Sequence, residues 1–518
     1  MISNSSTLPD DPILLKQIIA QYETEVRLLR EHNRHLYQKL FGPKSEKYQG
    51  ESPQLPLFDM PEPDPEAEQE EKTPVSGHSR KKPGRKPLPP SLPRVDVIHD
   101  IPEDEKVCGC GEQLVKIGEE LSEKLDIIPA VIQVIRNIRP KYACRRCEGV
   151  ENDGPVVKIA PPPPHIIPKG IATSGLLAHI FTAKFADALP FYRQEGQFRR
   201  LGVEIGRATM CNWAMKVAEA CAPLLKLLQE DIRSGPLINI DETTLQVLKE
   251  PGRSPTNKSY MWVFRGGDPQ VPSLIYQYSP SRAGELAKVF LGDYQGVVQT
   301  DGYSGYDFLD NREGVLHVGC WAHARRKFVE AEKARGKKAK PGAPTVAINA
   351  IKGIYAIEKK AKKLNLSQSE LRDLRAKEAK PILDDLKTWL DTKSTQVVPK
   401  SLLGKAVTYS LNQWDRLTAY LYDGCVIPDN NLVENAIRPF TVGRKNWLFA
   451  GTQRGAEASA ALYSLIETAK ANGLDVYKYQ RFIFENLPLA QTDDDYRSLL
   501  PKNLTNELLK IPGKFSGV

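Results

Sequence analysis

The sequence predicts a multidomain α/β protein whose largest part is a mixed sheet flanked by helices, with smaller units ahead of it. Three observations carry this expectation. Residues 237–248, 260–265 and 273–278 are short β-type runs separated by the turn stretches PGRSPTNK and GGDPQ. An alternation of helix and strand patterns follows, to about residue 320. Upstream lie a heptad-patterned opening, a Pro-rich tract and a cluster of four cysteines. At 518 residues the chain exceeds one ordinary domain.

The first element is a helix over about 12–41 within a leucine-zipper-like unit, residues 1–42. Its apolar stripe is Leu15, Ile19, Tyr22, Val26, Leu29, Asn33, Leu36 and Leu40, with spacings alternating four and three. Asn33 takes a core position where one buried Asn fixes register, and Glu25 would face Arg30 of a parallel partner. Two readings fit: a coiled-coil homo-oligomer, or an amphipathic helix packed on its own domain.

Residues 43–94 form a linker too polar and Pro-rich to fold. Residues 59–71 carry seven acids and no base, and residues 78–94 carry six bases and no acid. Arg85 and Lys86 in GRKP are candidates for phosphate or minor-groove contact, against the plainer reading of a solvated tether. Next, residues 95–160 mix short β-type runs with Cys108, Cys110, Cys144 and Cys147. Four thiolates suffice for a closed structural Zn²⁺ site, which a β-rich unit with so small a core needs. The other four cysteines, Cys211, Cys221, Cys320 and Cys425, read as small buried hydrophobes.

PPPPHIIPKG marks the next boundary, and residues 165–235 form a helix-turn-helix-like region that is helical over 171–230. A helix ending near Leu201, a turn at Gly202 and a second helix bearing Arg207, Thr209, Asn212 and Trp213 suggest helix-turn-helix geometry. Arg207 and Asn212 are its candidate base readers, against a purely structural helix pair.

The sheet region spans 236–470. Three strands, a helix at 281–291, a strand at 296–301, a loop and a strand near 315–320 give the order of a ribonuclease-H-like core. That fold places one carboxylate on the first strand, one at the end of the fourth and one on a helix after the fifth. Asp241 in LINIDETTLQV, Asp301 in VVQTDGYSGYD and Glu434 in DNNLVENAIRP fall there in that order. The 133-residue gap between Asp301 and Glu434 contains long Lys/Arg-rich helical patterns, read as a helical insertion at about 325–427. Its residues 325–363 carry thirteen bases against three acids, which suits DNA backbone contact or a solvated face. Residues 471–518 form a C-terminal tail region.

Three carboxylates on separate elements suit two Mg²⁺ (or Mn²⁺) ions, since hard cations prefer oxygen ligands. Glu242 points to the other face of its strand from Asp241, and Asp307, Asp429 and Glu457 are second choices as ligands. Glu434 is preferred because Asp429 or Asn430 can cap a helix that ends before Pro439. Arg438 lies one turn beyond Glu434 on that helix. In GCWAHARRKF, Arg325 and Arg326 are candidate DNA contacts. Cys320, Trp321 and Phe328 read as packing residues, with metal ligation by His323 the lesser reading. Arg444, Lys445 and Trp447 in GRKNW suit an unpaired base or fold against the core.

These residues together resemble one known family. LFGPKSEK, SEKLDIIPA…RPKYACRRC, PFYRQEGQFRRLGVEIGRATMCNW, DETTLQV, TDGYSGYD, GCWAHARRKF and NNLVENAIRPFTVGRKNWLFAGTQRGAEASAALYS occur in order over nearly the whole chain. The chain resembles the Asp-Asp-Glu transposases of bacterial insertion-sequence family sixty-six. The resemblance implies Asp241, Asp301 and Glu434 as metal ligands, strand cleavage at terminal inverted repeats, and attack of 3′-hydroxyls on target DNA. It also implies small accessory proteins from the same element as partners. The family usually has Cys-x-x-Cys at the first cysteine pair, and CGC departs from it.

The formal charge of +8 is unevenly spread, with clusters that favour polyanions. No run of eighteen apolar residues and no signal-like N-terminus is present, so the expectation is a cytoplasmic, nucleoid-associated protein without membrane contact. Three functions compete: DNA transposase, metal-dependent nuclease of the same fold, and non-catalytic zinc-containing DNA-binding protein.

Overall fold

The computed structural model describes residues 11–41, 132–143, 157–335 and 341–509. Residues 1–44 and 137–518 belong to one compact unit and 45–136 to another; the elements below belong to the first. Cys108, Cys110, Cys144, Cys147, Arg85 and Lys86 lie outside the described residues.

Helix α1 (Pro12–Phe41) begins at Asp11, whose carboxylate accepts the Ile13 N–H at 2.9 Å. Its opposite flank meets the body of the protein, where Glu31 accepts the Leu402 N–H at 3.3 Å. The heptad seam stays outside: Ile19, Tyr22, Val26, Leu29, Leu36 and Leu40 are all exposed. Strands β1 (Lys141–Ala143) and β2 (Val157–Ile159) pair antiparallel as a small separate sheet.

Four helices precede the main sheet: α2 (Ser174–Phe181), α3 (Phe191–Arg200), α4 (Arg207–Ala220) and α5 (Ala222–Ser234). Gly202, at φ +80, makes the turn between α3 and α4 in a region that favours glycine. Along α4, Arg207, Thr209 and Asn212 are exposed, whereas Trp213 is buried with Met210 and Val217. The helix pair with its turn is therefore present, but Trp213 serves the core.

The main sheet contains β3 (Leu237–Lys249), β4 (Lys258–Gly266), β5 (Ser273–Ser279), β6 (Gly296–Gln299) and β7 (Val315–Val318). Their order is β5-β4-β3-β6-β7. The first three form an antiparallel meander, and β6 runs parallel to β3, as β7 does to β6. Helix α6 (Glu285–Leu291) lies between β5 and β6 in the chain. Short turns explain the antiparallel half, while the parallel half needs crossovers.

After β7 come α7 (Trp321–Ala334), α8 (Ala343–Lys363), α9 (Gln368–Leu374), α10 (Lys380–Gln396), α11 (Leu402–Asn412) and α12 (Trp414–Thr418). They build a core of their own from Trp321, Phe328, Ile351, Ile354, Leu386, Leu390 and Leu417, joined to the sheet through Val297 and Val318. Arg375 is fully buried there. Its guanidinium donates to both Glu358 oxygens at 2.8 Å and to the carbonyls of Tyr420, Asp423 and Val426 at 2.7–2.8 Å. All five donors are used, which is what a buried guanidinium requires.

The chain returns through α13 (Asn431–Trp447), a strand β8 (Ala450–Thr452) paired with β3, and α14 (Gln453–Ala471). The expected end of the Glu434 helix before Pro439 is incorrect, because α13 runs through Pro439 to Trp447. A proline inside a helix costs about 3 kcal/mol; burial of Val433, Ala436, Ile437 and Phe440 against the sheet side offsets it. Helix α14 covers the edge of β5, its Ser464 and Thr468 hydroxyls accepting the Tyr276 and Leu274 N–H groups at 2.8 and 3.0 Å. Helices α15 (Val476–Asn486) and α16 (Asp493–Ser498) complete the fold. The described residues of the stretches expected as separate regions, 165–235 and 471–518, share one continuous core with the sheet, from Phe181 and Leu228 to Tyr479 and Leu500.

Candidate active site

The three acids sit on β3, two residues past β6, and in the first turn of α13. A buried amide network laces these elements together. Asn239 Nδ2 donates to Gln299 Oε1 at 2.9 Å and to Asn430 Oδ1 at 3.0 Å. Asn430 Nδ2 donates to the Ile240 carbonyl at 3.0 Å, and Gln299 Nε2 to the Ile427 carbonyl at 2.8 Å. Asn239 and Gln299 precede Asp241 and Asp301 by two residues each, so the β repeat puts amide and acid on one face. Asn430 is the N-cap of α13 by position, yet its side chain makes no cap bond and spans to β3 instead. Asp429 takes the capping role, accepting the Asn431 N–H at 3.0 Å.

Register settles the faces. Asp241 pairs with Val263 and Val263 with Tyr276, whose hydroxyl reaches the Ala436 carbonyl on α13. Glu242 pairs with Trp262, which packs on Tyr306 with ring centroids 5.8 Å apart. Asp241 thus faces α13, and Glu242 faces the other layer, where it accepts from Tyr306 and Arg282.

Asp241 Oδ1 accepts the Glu242 N–H at 2.8 Å. Burial, then the charges of Glu242, Asp301 and Glu434, push its carboxyl well above the usual range. Asp301 Oδ1 accepts the Tyr303 N–H at 2.9 Å, and its Oδ2 lies 3.8 Å from Arg282. Burial raises Glu434 too, opposed first by Arg326, whose Nη2 lies 3.7 Å from Oε2. Its Oε1 is buried without a hydrogen-bond partner. Clustered carboxylates, two of them held up by burial and by neighbouring acids and one with an unpartnered oxygen, are the donor set a divalent cation stabilises. The residues fit such an ion.

Helix α7 faces this cluster. Burial, then Arg326, lowers the His323 imidazole to about 4, leaving it neutral near pH 7. Cys320, His323 and Glu434 each offer a ligand atom within 4.8 Å of the others. Arg326 stands beside Glu434, whereas Arg325 bears on Tyr355 in the neighbouring helical layer. Arg438 is exposed one turn beyond Glu434, and its charge bears on that carboxylate. Arg444 donates to Thr243 Oγ1 at 3.1 Å and to the Thr244 carbonyl, tying α13 to β3. Lys445 is exposed, and Trp447 packs against Phe440. The second-choice acids are engaged elsewhere: Asp307 with Arg416 at 2.7 Å, Asp429 at the α13 cap, and Glu457 with Gln453 at 2.9 Å.

Residues 169–458, more than half of the chain, match the family model described as "Transposase IS66 family". The chain belongs to the IS66 transposase family. Further matches are to the "zinc-finger binding domain of transposase IS66" at 105–148, "Transposase C of IS166 homeodomain" at 28–97 and the "IS66 C-terminal element" at 464–501. Among its relatives is the uncharacterized protein y4jD of Sinorhizobium fredii, 36% identical over 428 residues, which are 80% of this chain and 81% of that protein. The uncharacterized protein y4qI of the same organism is 32% identical over 437 residues, 82% of this chain and 78% of that protein. Among the described residues, no helix is long and apolar enough to cross a membrane.

Sequence reasoning missed part of the site of this IS66 chain. Arg282 joins Glu242 to the Asp301 side and stacks on Tyr303 at 3.7 Å. The strand amides Asn239 and Gln299 were also overlooked. Their signal was present: an amide inside each apolar strand run, two positions before the acid, where burial without a partner is costly.

Proposed function

We propose that the chain is a metal-dependent DNA transposase that cuts at the terminal inverted repeats of its element and transfers the 3′-hydroxyl ends into target DNA. The observation that carries this reading is the meeting of Asp241, Asp301 and Glu434, from three elements, in one half-buried cluster whose charges raise the Asp241 and Glu434 carboxyls. Membership of a transposase family supports it. The strand order, a three-stranded meander followed by two parallel strands, supports a ribonuclease-H-like core.

Asp241, Asp301 and Glu434 would hold two Mg²⁺ (or Mn²⁺) ions. Such ions supply an activated attacking oxygen and charge stabilisation for the leaving 3′ oxygen. The chain's own contribution is placement. The Asn239–Gln299–Asn430 network fixes the acid-bearing elements, Arg282 restrains the Asp301 side, and Arg326 holds one Glu434 oxygen. Cys108, Cys110, Cys144 and Cys147 hold a structural Zn²⁺, in keeping with the zinc-finger match over 105–148. The exposed Arg207 and Asn212 and the basic Arg85, Lys86, Arg325, Arg438 and Lys445 serve DNA contact. The open seam of α1 serves self-association, and small accessory proteins of the same element complete the assembly.

The test is incubation of the full chain with Mg²⁺, labelled terminal repeats and a target plasmid. Joined product is the expected result. Cleavage without joining would favour a nuclease of the same fold, and salt-sensitive binding alone a non-catalytic DNA-binding protein.

A further inference from the structure

We propose that His323 is a nitrogen ligand sharing one divalent cation with Glu434, making that position select a first-row transition ion such as Mn²⁺ over Mg²⁺. The inference rests on the carboxylate centre proposed above and adds a ligand of different chemistry to it. His323 Nδ1 and Glu434 Oε1 are both buried, both lack a hydrogen-bond partner, and lie 3.6 Å apart. That separation is too long for a hydrogen bond. It is what two donors about 2.0–2.2 Å from a common ion show at an angle of roughly 110–120°.

The surroundings divide the work. Arg326 approaches the other Glu434 oxygen, Oε2, at 3.7 Å, so Oε1 is the oxygen turned towards the imidazole. Cys320 Sγ, the third donor of the group, already accepts the Asn430 N–H at 3.3 Å, which leaves nitrogen and oxygen to the ion. Both helix starts are fixed independently of any ion. Trp321 N–H donates to the Pro428 carbonyl at 2.9 Å and its Nε1 to the Leu417 carbonyl at 2.7 Å, while Asn430 pins α13 to β3. The pair is thus held apart by the fold, in a preorganised way that an induced contact would not need. Carboxylate oxygens alone suit Mg²⁺; replacing one by imidazole raises affinity for transition ions instead.

The experiment is Mn²⁺ binding to the full chain without DNA, followed by loss of the free Mn²⁺ resonance and by ¹⁴N coupling in pulsed electron paramagnetic resonance. Wild type should bind Mn²⁺ with imidazole ¹⁴N coupling and retain it against excess Mg²⁺. His323→Gln should lose the coupling and about tenfold or more in Mn²⁺ affinity, with Mg²⁺ affinity changed far less. His323→Asn, with circular dichroism for both variants, guards against a folding defect. Absence of ¹⁴N coupling in wild type, or coupling and affinity unchanged in a folded His323 variant, overturns the proposal. The parent reading fails on a different result, strand transfer that survives Asp241→Asn; ¹⁴N coupling lost with His323 would then still support the His323–Glu434 ion site.

Discussion

At the scale of single residues, acids and amides around the site carry opposite energetic signs. Asp241 is a largely desolvated carboxyl beside three other acids, a configuration that stores repulsion in the metal-free fold. Asp241→Asn should abolish strand transfer while raising metal-free stability by about 1 kcal/mol or more, read by urea unfolding in chelator. Asn239 is the reverse case. Asn239→Ala strips the donor from Gln299 Oε1 and Asn430 Oδ1, both buried, and should cost about 2–4 kcal/mol as well as activity. If both substitutions destabilised equally, the assignment of Asp241 to function and Asn239 to positioning would be wrong. Arg375 belongs to the positioning class too. With five donors committed, Arg375→Ala should cost about 3–5 kcal/mol, and Arg375→Lys should recover only part, since an ammonium lacks the planar fork.

At the scale of elements, the inserted helices brace the acid-bearing ones. Arg416, just before the insertion rejoins the sheet, bonds Asp307 and Asp310, and Asp310 accepts from His317 Nδ1 at 2.7 Å. His317 Nε2 lies 2.8 Å from the Thr300 hydroxyl, which donates to the Asp301 carbonyl at 2.8 Å. Tyr409 of α11 lies so close to Gly302 that a Cβ there would sit 2.6 Å from its hydroxyl. The glycine of TDG is thereby explained by packing. Burial, outweighing the Asp310 bond, lowers His317 from 6.5 to about 4. In that window the unfolded chain binds a proton that the folded chain refuses. The stability contribution is therefore full above about pH 6.5 and lost as pH falls towards 4, by up to about 3 kcal/mol. Thermal melts of wild type and His317→Gln across pH 4–7 should show the shallower slope in the variant.

At the scale of the whole molecule, the unmatched surface is the seam of α1. Six large apolar side chains at heptad positions stay exposed while the helix rests on the body by its other flank. A stripe of that length in water favours a second copy. Val26→Asp with Leu29→Asp should convert a dimer into a monomer at micromolar concentration by sedimentation, leaving the melting of the sheet-containing core unchanged. Persistence of the dimer would place self-association elsewhere.

The sequence by itself determined the periodicities and what depends on them: the α1 heptads, the five strands in order, the α3–Gly202–α4 turn, and one acid within the first strand, one just past the fourth and one on a helix. These follow from local spacing, because a period of 3.5 or 2 fixes which face a residue occupies before any packing exists. Only the tertiary structure decided that α13 passes through Pro439, since the gain lies in burial against β3 and β4 that no local rule contains. Likewise β8, a three-residue strand, exists through its pairing with β3. The joining of 165–235 and 471–509 into one core with the sheet, and the meeting of His323, Arg326 and Arg282 around the acids, are long-range facts. Each brings together residues far apart in the chain, so their energies arise from contacts whose partners the local pattern cannot name.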